Sequence, residues 1–185
     1  MEDFNLLISS SRGEEHDANS ELRYLLRELG DPNAQTNYTP VSGLTVARTE
    51  LEPVPLIRDL RSILRARPWE FRYVLKVKPV KSVVRCSVEE IVAAVVQQSS
   101  IVKEGETFRV SLEKRRNHIS SKEVIDAVAS KVPRKVDLQN PGKLILVEII
   151  GELAGVSVIE PTSILGVEKE KRASTFQRSA GRTVR

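Results

Sequence analysis

The stretch from Glu106 to Ile159 constrains the fold of this 185-residue chain more than any other. A short alternating strand, a helix and a hairpin of apolar strands follow one another within it. Two basic turns, residues 114–118 and 132–135, flank the helix. A packed core would hold these cations in a fixed array, which is what recognition of a phosphate backbone requires. We therefore predict that the two turns form one surface that grips RNA.

Charge is segregated along the chain, although the formal net charge is only +4. Residues 1–60 hold five Lys and Arg against eleven Asp and Glu, whereas residues 61–85 hold eight basic residues and one acidic residue. Two further basic blocks cover 109–143 and 169–185. A single block of this kind is usually only a solvated surface, but three blocks on one face would attract a polyanion.

Cysteine content and hydropathy bound the cellular setting. The single cysteine, Cys86, excludes an intramolecular disulfide. The N-terminus lacks the basic start and apolar run of a signal peptide, and every apolar run is too short to span a bilayer. We expect a cytoplasmic protein with no membrane contact.

The first 80 residues predict a small domain of six elements. A strand at residues 4–10, a helix and a hairpin at 35–39 and 44–48 come first. A second helix opens at Pro53, and a final strand at 71–77 carries a basic outer face. This βαββαβ order is the ferredoxin-like split-βαβ pattern on one antiparallel sheet.

Residues 81–165 predict a second, α/β domain, so the fold class is α+β to α/β. Two capping boxes, Ser87 to Glu90 and Ser120 to Glu123, open helices. The strand Thr107 to Leu112 alternates apolar and polar residues, and residues 144–150 form a strand covered on both faces. Residues 166–185 have few apolar side chains and predict a basic, flexible tail.

The candidate RNA contacts are basic and polar residues near the turns and the domain junction. Asp137 and Asn140 are the short polar residues of a turn, and we favour a structural role for both. The predicted RNA-binding residues are Lys76, Lys78, Lys81, Arg85, Lys114, Arg115, Arg116, Asn117, His118, Lys131, Arg134, Lys135, Asn140 and Lys143.

No catalytic or metal-binding motif is present in the sequence. His16, His118 and Cys86 are far apart and show no CxxC, HxxxH or HxE spacing. Neither a dinucleotide-binding nor a P-loop glycine pattern occurs. We therefore predict no catalytic residue, no metal and no cofactor.

The run from Val132 to Lys143, followed by 144–149 and 154–158, resembles the core of a THUMP domain. The Asp-x-x-Asn-Pro and Val-Glu-Ile segments within it carry the resemblance, which covers about residues 85–165. THUMP domains are RNA-binding modules of tRNA-modifying proteins, and the ferredoxin-like unit looks like the domain that is usually fused to them.

The resemblance implies a stand-alone adaptor that is not itself an enzyme. Such a protein would present tRNA to a separate RNA cytidine acetyltransferase for N4-acetylcytidine formation, with ATP and acetyl-CoA belonging to that partner. Two alternatives stay open. One is an enzyme with an unrecognised site around His118, Cys86 and Glu113, and the other is a protein-interaction module whose basic surface binds acidic partners.

Overall fold

The computed structural model describes the backbone of residues 3–180 and the side chains of residues 3–173. Two five-stranded sheets carry five helices within this range. The elements are β1 Leu6–Ser9, α1 Glu15–Glu28, β2 Gln35–Tyr38, β3 Leu44–Arg48, α2 Pro53–Ala66, β4 Lys76–Pro79, β5 Ser82–Arg85, α3 Val88–Gln98, β6 Thr107–Arg115, α4 Ser121–Lys131, β7 Lys135–Val136, β8 Lys143–Ile150, β9 Leu153–Ile159, β10 Leu165–Gly166 and α5 Val167–Ala180. None of the helices in residues 3–180 is both long enough and apolar enough to cross a membrane.

The first sheet has the strand order β10-β4-β1-β3-β2, and every neighbouring pair is antiparallel. The predicted order of strands and helices is present in residues 1–80. The apolar stripes of α1 and α2 cover one face of this sheet. Leu22, Leu26, Leu56 and Leu60 from these helices are fully buried with Ile8 of β1. The mixed α/β architecture with two sheets is the predicted fold class.

The last predicted strand of the first unit is shorter than its alternating sequence indicates. Residues 71–75 are not a strand, because the carboxylate of Glu21 accepts the backbone N–H groups of residues 72, 73 and 74 at 2.8, 3.1 and 3.0 Å. Amides that donate to this carboxylate cannot donate to a neighbouring strand. Strand β4 instead extends two residues past the predicted end, to Pro79, which pairs with Leu6.

The second sheet has the order β5-β9-β8-β6-β7, with β6 parallel to β8 and to β7. Helices α3 and α4 pack on one face, where Phe108, Ile145 and Val147 are fully buried. The other face of β8 packs on residues from the first unit, so all eight of its residues are buried. The prediction that this strand is covered on both faces is confirmed.

The C-terminal segment returns to the first unit. Strand β10 adds to the edge of the first sheet beside β4, and Leu165 and Val167 are fully buried in the core that α2 covers. The prediction of a flexible tail over 166–185 is therefore wrong for residues 166–173. Their two apolar anchors lie at the start of the segment and were outweighed by the polar residues after them. Residues 181–185 lie outside the described part.

Four charged side chains join the two sheets, and we call them the inter-sheet cluster: Lys78, Glu113, Arg115 and Glu148. The Lys78 Nζ atom donates to Glu113 at 2.7 Å and to Glu148 at 2.5 Å. Arg115 donates to the other oxygen of Glu148 at 2.9 Å and to Glu113. Lys78 is 4% exposed and Glu148 is fully buried. The cluster therefore joins β4 to β6 and β8 through a buried pair, Lys78 and Glu148, which the more exposed Glu113 and Arg115 complete.

Removal of both buried charges should destabilise the protein by less than the sum of the two single removals. Glu148→Gln leaves Lys78 buried with less compensation, so we expect a loss of about 3 kcal/mol in the free energy of unfolding, measured in urea. Lys78→Met should cost a similar amount, whereas Lys78→Met with Glu148→Gln should cost less than the two single losses together. Strictly additive losses would contradict the pairing. The exposed pair Lys122 and Asp126 is the control, and its loss should cost a few tenths of a kcal/mol.

The inter-sheet cluster should also make stability depend on pH. Burial opposes ionisation of Glu113, but the hydrogen bond and charge of Lys78 and the charge of Arg115 lower its pKa below 4.5. Because the folded-state pKa is depressed, the stabilisation is complete above the unfolded pKa and is lost as pH falls through the folded value. Urea unfolding from pH 7 to pH 3 should show a smaller acid loss in Glu113→Gln than in the wild type. Exposed Glu104→Gln should leave the profile unchanged, and parallel profiles for Glu113→Gln would contradict the assignment.

Candidate nucleic-acid interface

One group of cations lies where β5 and β6 end and helices α3 and α4 begin. Arg85 pairs with Leu153 in the sheet, and Arg115 pairs with Ile150, so both arginines stand at the same edge. The exposed residues of this carboxyl-end group are Arg85, Lys114, Arg116 and His118. Among the described residues, the side chains of Arg85, Arg116 and His118 have no hydrogen-bond or ion-pair partner.

The turn after β6 is fixed by its own polar groups. The Asn117 side chain donates to the Gly151 carbonyl and accepts from the Ile119 N–H, each at 2.7 Å. Lys114 Nζ donates to the Ile119 carbonyl at 2.7 Å. These contacts hold Arg116 at φ 55°, the one positive φ of a non-glycine residue among those described. Asn117 thus shapes the turn, while the Arg116 side chain remains exposed.

The second predicted turn lies at the opposite edge of the sheet. Lys135 of β7 pairs with Thr107, the first residue of β6, whereas the first turn follows Arg115, the last residue. Nine residues of β-strand separate the two turns by roughly 25 Å. Helix α4 runs between them. The prediction that both turns form one grip is therefore wrong, and the cations form two separate groups.

The second group lies where β6 begins, and we call it the amino-end group: Lys131, Arg134 and Lys135. Lys81 directly precedes β5, the strand at the other side of the same sheet. Lys81, Lys131 and Lys135 are exposed. Arg134 is partly used in the structure, because its guanidinium donates to the carbonyls of Lys103 and Pro133 at 3.1 and 2.8 Å. This group presents fewer fixed contacts than the turn after β6.

The turn at residues 137–140 confirms a structural role for Asp137. Its carboxylate accepts the backbone N–H groups of Asn140 and Gln139, both at 2.9 Å. These two bonds lower the pKa of Asp137 below its usual value. The Asn140 side chain, in contrast, is exposed and makes no hydrogen bond to any described residue. It remains a predicted contact.

Three predicted contacts are committed to carboxylates inside the protein. Lys78 and Arg115 belong to the inter-sheet cluster. Lys143 is 8% exposed and lies 3.2 Å from Glu160 and 3.6 Å from Glu106. Each lies in a strand, just beyond the residues that we predicted for that strand. Their partners come from distant segments and left no local signal. Lys76, on the same face of β4, is exposed.

The arginines of α2 were missed in the search for binding residues. Arg58, Arg61 and Arg65 recur at i, i+3 and i+7, which places them on one stripe of the helix. That spacing was visible in the sequence. Only the opening of this helix at Pro53 entered the prediction.

The residues of the enzyme alternative do not come together. Glu113 lies in the inter-sheet cluster, whereas Cys86 packs against the core on the opposite face of the second sheet. Burial and the charge of Glu152 raise the pKa of the Cys86 thiol, which disfavours the nucleophilic thiolate. No three His, Cys, Asp or Glu side chains of residues 3–173 are placed to hold a metal ion.

Several solved structures share the fold of this chain over most of its length. TrmN from Thermus thermophilus matches 83% of it with a TM-score of 0.57 and 19% identity. PH1313 from Pyrococcus horikoshii matches 85% with a TM-score of 0.58 and 16% identity, and a 4-thiouridine synthetase in complex with RNA and ATP matches 85% with a TM-score of 0.53 and 16% identity. The chain spans only 44%, 55% and 42% of these proteins, respectively. Among curated proteins, no sequence matches it.

The prediction that the chain is not an enzyme is contradicted by these fold relatives. One of them is named as a 4-thiouridine synthetase, and those from Listeria monocytogenes and Clostridium difficile are named as a predicted DNA methylase and a possible methylase. Our exclusion rested on missing motifs in this sequence. The chain spans 42% of the synthetase and 40% and 41% of the other two proteins.

The family model of the THUMP domain matches residues 87–159 of this chain. This range begins at the N-cap of α3 and ends with the last residue of β9, so it contains both capped helices and four of the five strands of the second sheet. The motif segments from which the resemblance was inferred lie within it. Residues 87–159 of this chain therefore form a THUMP domain.

Proposed function

We propose that this chain binds tRNA and presents it to an active site that modifies RNA. The observation that carries the proposal is the THUMP domain at residues 87–159, whose ordered strand and helix ends display cations. Exposed cations on a rigid frame can contact phosphates without first ordering a flexible segment. A solved fold relative that is complexed with RNA supports the same ligand.

The proposed contacts are the predicted residues whose side chains stay accessible. The turn after β6 supplies the best-defined group, because the backbone around Arg116 is held by Asn117 and Lys114. We assign a structural role to Lys78, Arg115, Asn117 and Lys143. The proposed RNA contacts are Lys76, Lys81, Arg85, Lys114, Arg116, His118, Lys131, Arg134, Lys135 and Asn140.

Finer parts of the proposal concern the domains and the receiving active site. We propose that residues 1–80 are a ferredoxin-like unit, that residues 81–165 are the RNA-binding unit, and that the protein works in the cytoplasm. The active site can belong to a modifying enzyme of the kind found among the fold relatives. It can also belong to a separate RNA cytidine acetyltransferase, which would bring ATP and acetyl-CoA.

Binding of tRNA should depend on salt and on the exposed cations. We expect the wild-type chain to bind unfractionated tRNA in a filter-binding assay, with log affinity falling by about 0.7 to 0.9 per log unit of salt for each phosphate neutralised. Arg85→Ala with Arg116→Gly should weaken binding roughly tenfold. The glycine tolerates the left-handed backbone, so the melting temperature should not fall.

A matched pair of exposed arginines on the first unit serves as the control. Arg12→Ala with Arg27→Ala removes the same charge from the first unit and should leave the affinity within twofold. Absence of tRNA binding by the wild-type chain at 50 mM salt would refute the proposed function. Equal losses in both double variants would show that only net charge matters.

Presentation to an acetyltransferase can be tested separately. Purified RNA cytidine acetyltransferase, supplied with ATP, acetyl-CoA and tRNA, should form more N4-acetylcytidine when the chain is added. The Arg85→Ala, Arg116→Gly variant should give less stimulation than the Arg12→Ala, Arg27→Ala control. If tRNA binds but acetylation does not change, the receiving active site is a different one.

A further inference from the structure

A basic groove runs along helix α2, between the first unit and one edge of the THUMP domain. Its walls are the exposed side of α2, the connection from β9 to β10, the start of α5 and the near edge of the second sheet. We call it the α2 groove. Its charged lining residues are Arg58, Arg61, Arg65, Lys81, Lys143, Lys169, Glu160 and Glu170.

The charges of the α2 groove are strongly unbalanced. Both carboxylates are already paired, Glu170 with Arg61 at 2.9 Å and Glu160 with Lys143 at 3.2 Å. Four other cations line the groove and are exposed, and none has a hydrogen-bond or ion-pair partner among the described side chains: Arg58, Arg65, Lys81 and Lys169. This local excess equals the formal net charge of the whole chain, +4. These four cations make the local potential of the groove positive.

Arg61 makes the groove rigid. Its Nε donates to both carboxylate oxygens of Glu170, each at 2.9 Å. Its Nη2 donates to the carbonyls of Thr162 and Ile164, at 2.8 and 3.0 Å. One guanidinium therefore ties α2 to both the connecting segment and α5. The walls are set before any ligand arrives, which lowers the entropic cost of binding.

The unpaired arginines are spaced along one line. Arg58 and Arg65 are seven residues apart in α2, which corresponds to two helical turns and about 10 Å along the axis. Arg61 lies between them, and Lys169 faces the same depression from α5. A row of cations at this spacing fits a chain of anionic groups better than a single small anion. A guanidinium also offers two parallel donors to one phosphate.

We propose that the α2 groove binds a ribose-phosphate backbone and extends the RNA-binding surface onto the first unit. The inference rests on the proposed function and adds contacts from α2 and α5, which lie outside residues 87–159. Lys81 and Lys143 link the groove to the second sheet. A bound RNA would thus contact both units, with Arg58 beside the second sheet and Arg65 two helical turns further along α2.

The test compares Arg58→Ala with Arg65→Ala in the full chain against the wild type, with unfractionated tRNA as the probe. Alanine favours the helix and neither arginine has a structural partner, so the melting temperature should stay the same. We expect roughly tenfold weaker binding and a salt slope smaller by about 1.4 to 1.8, the value for two phosphate contacts. The double Lys variant, Arg58→Lys with Arg65→Lys, should keep most of the affinity and the slope.

The outcomes separate this inference from the proposed function. Wild-type binding together with unchanged binding by the double alanine variant overturns the α2 groove alone. No binding by the wild type overturns the proposed function. Polyglutamate serves as a probe for an acidic protein partner, and loss of its binding without loss of tRNA binding would also overturn the inference. The Arg12→Ala, Arg27→Ala control should match the wild type with both probes.

Discussion

The buried charges between the two sheets are the constraint on which the rest of the structure depends. An ammonium group as enclosed as that of Lys78 is tolerated only when carboxylates surround it, and both of its partners come from the second sheet. A hydrophobic contact between the sheets could slide, but this cluster is satisfied in one register. We infer that it fixes the orientation of the units more than it adds stability, since paired buried charges are often no better than apolar residues. Both basic groups and the α2 groove take their relative positions from that register.

Local sequence patterns predicted the elements well where local physics decides them. The capping boxes at Ser87 and Ser120 each place a serine oxygen on the amide three residues later, as expected. Apolar alternation in β6 and the continuous apolar run of β8 indicated how each strand would be buried. The failures came from contacts between distant segments. The Glu21 carboxylate accepts the backbone N–H groups of residues 72–74, about 50 residues away along the chain. No local pattern within residues 71–75 could reveal these hydrogen bonds.

The binding surface was predicted less well, because sequence shows where charge is but not what it faces. Lys78, Arg115 and Lys143 belong to basic blocks, yet each is neutralised by a carboxylate far along the chain. Arg116, from the same block, is exposed in a left-handed turn, where a large side chain costs about 1 kcal/mol or more. The arginines of α2 show the opposite error. Their neighbours in sequence are apolar helix residues, and only the returning segment 160–169 turns that helix face into a groove.

The return of the chain to the first sheet has a consequence for the order of folding. Strand β10 and Val167 complete a core that otherwise consists of residues 6–77, although they are synthesised after the entire THUMP domain. During translation the β4 edge of the first sheet would stay open while about 90 further residues emerge, which takes roughly 5 to 20 s. The THUMP domain can assemble in that interval around its own core. An RNA that reached it then would meet the second sheet alone, without a finished α2 groove.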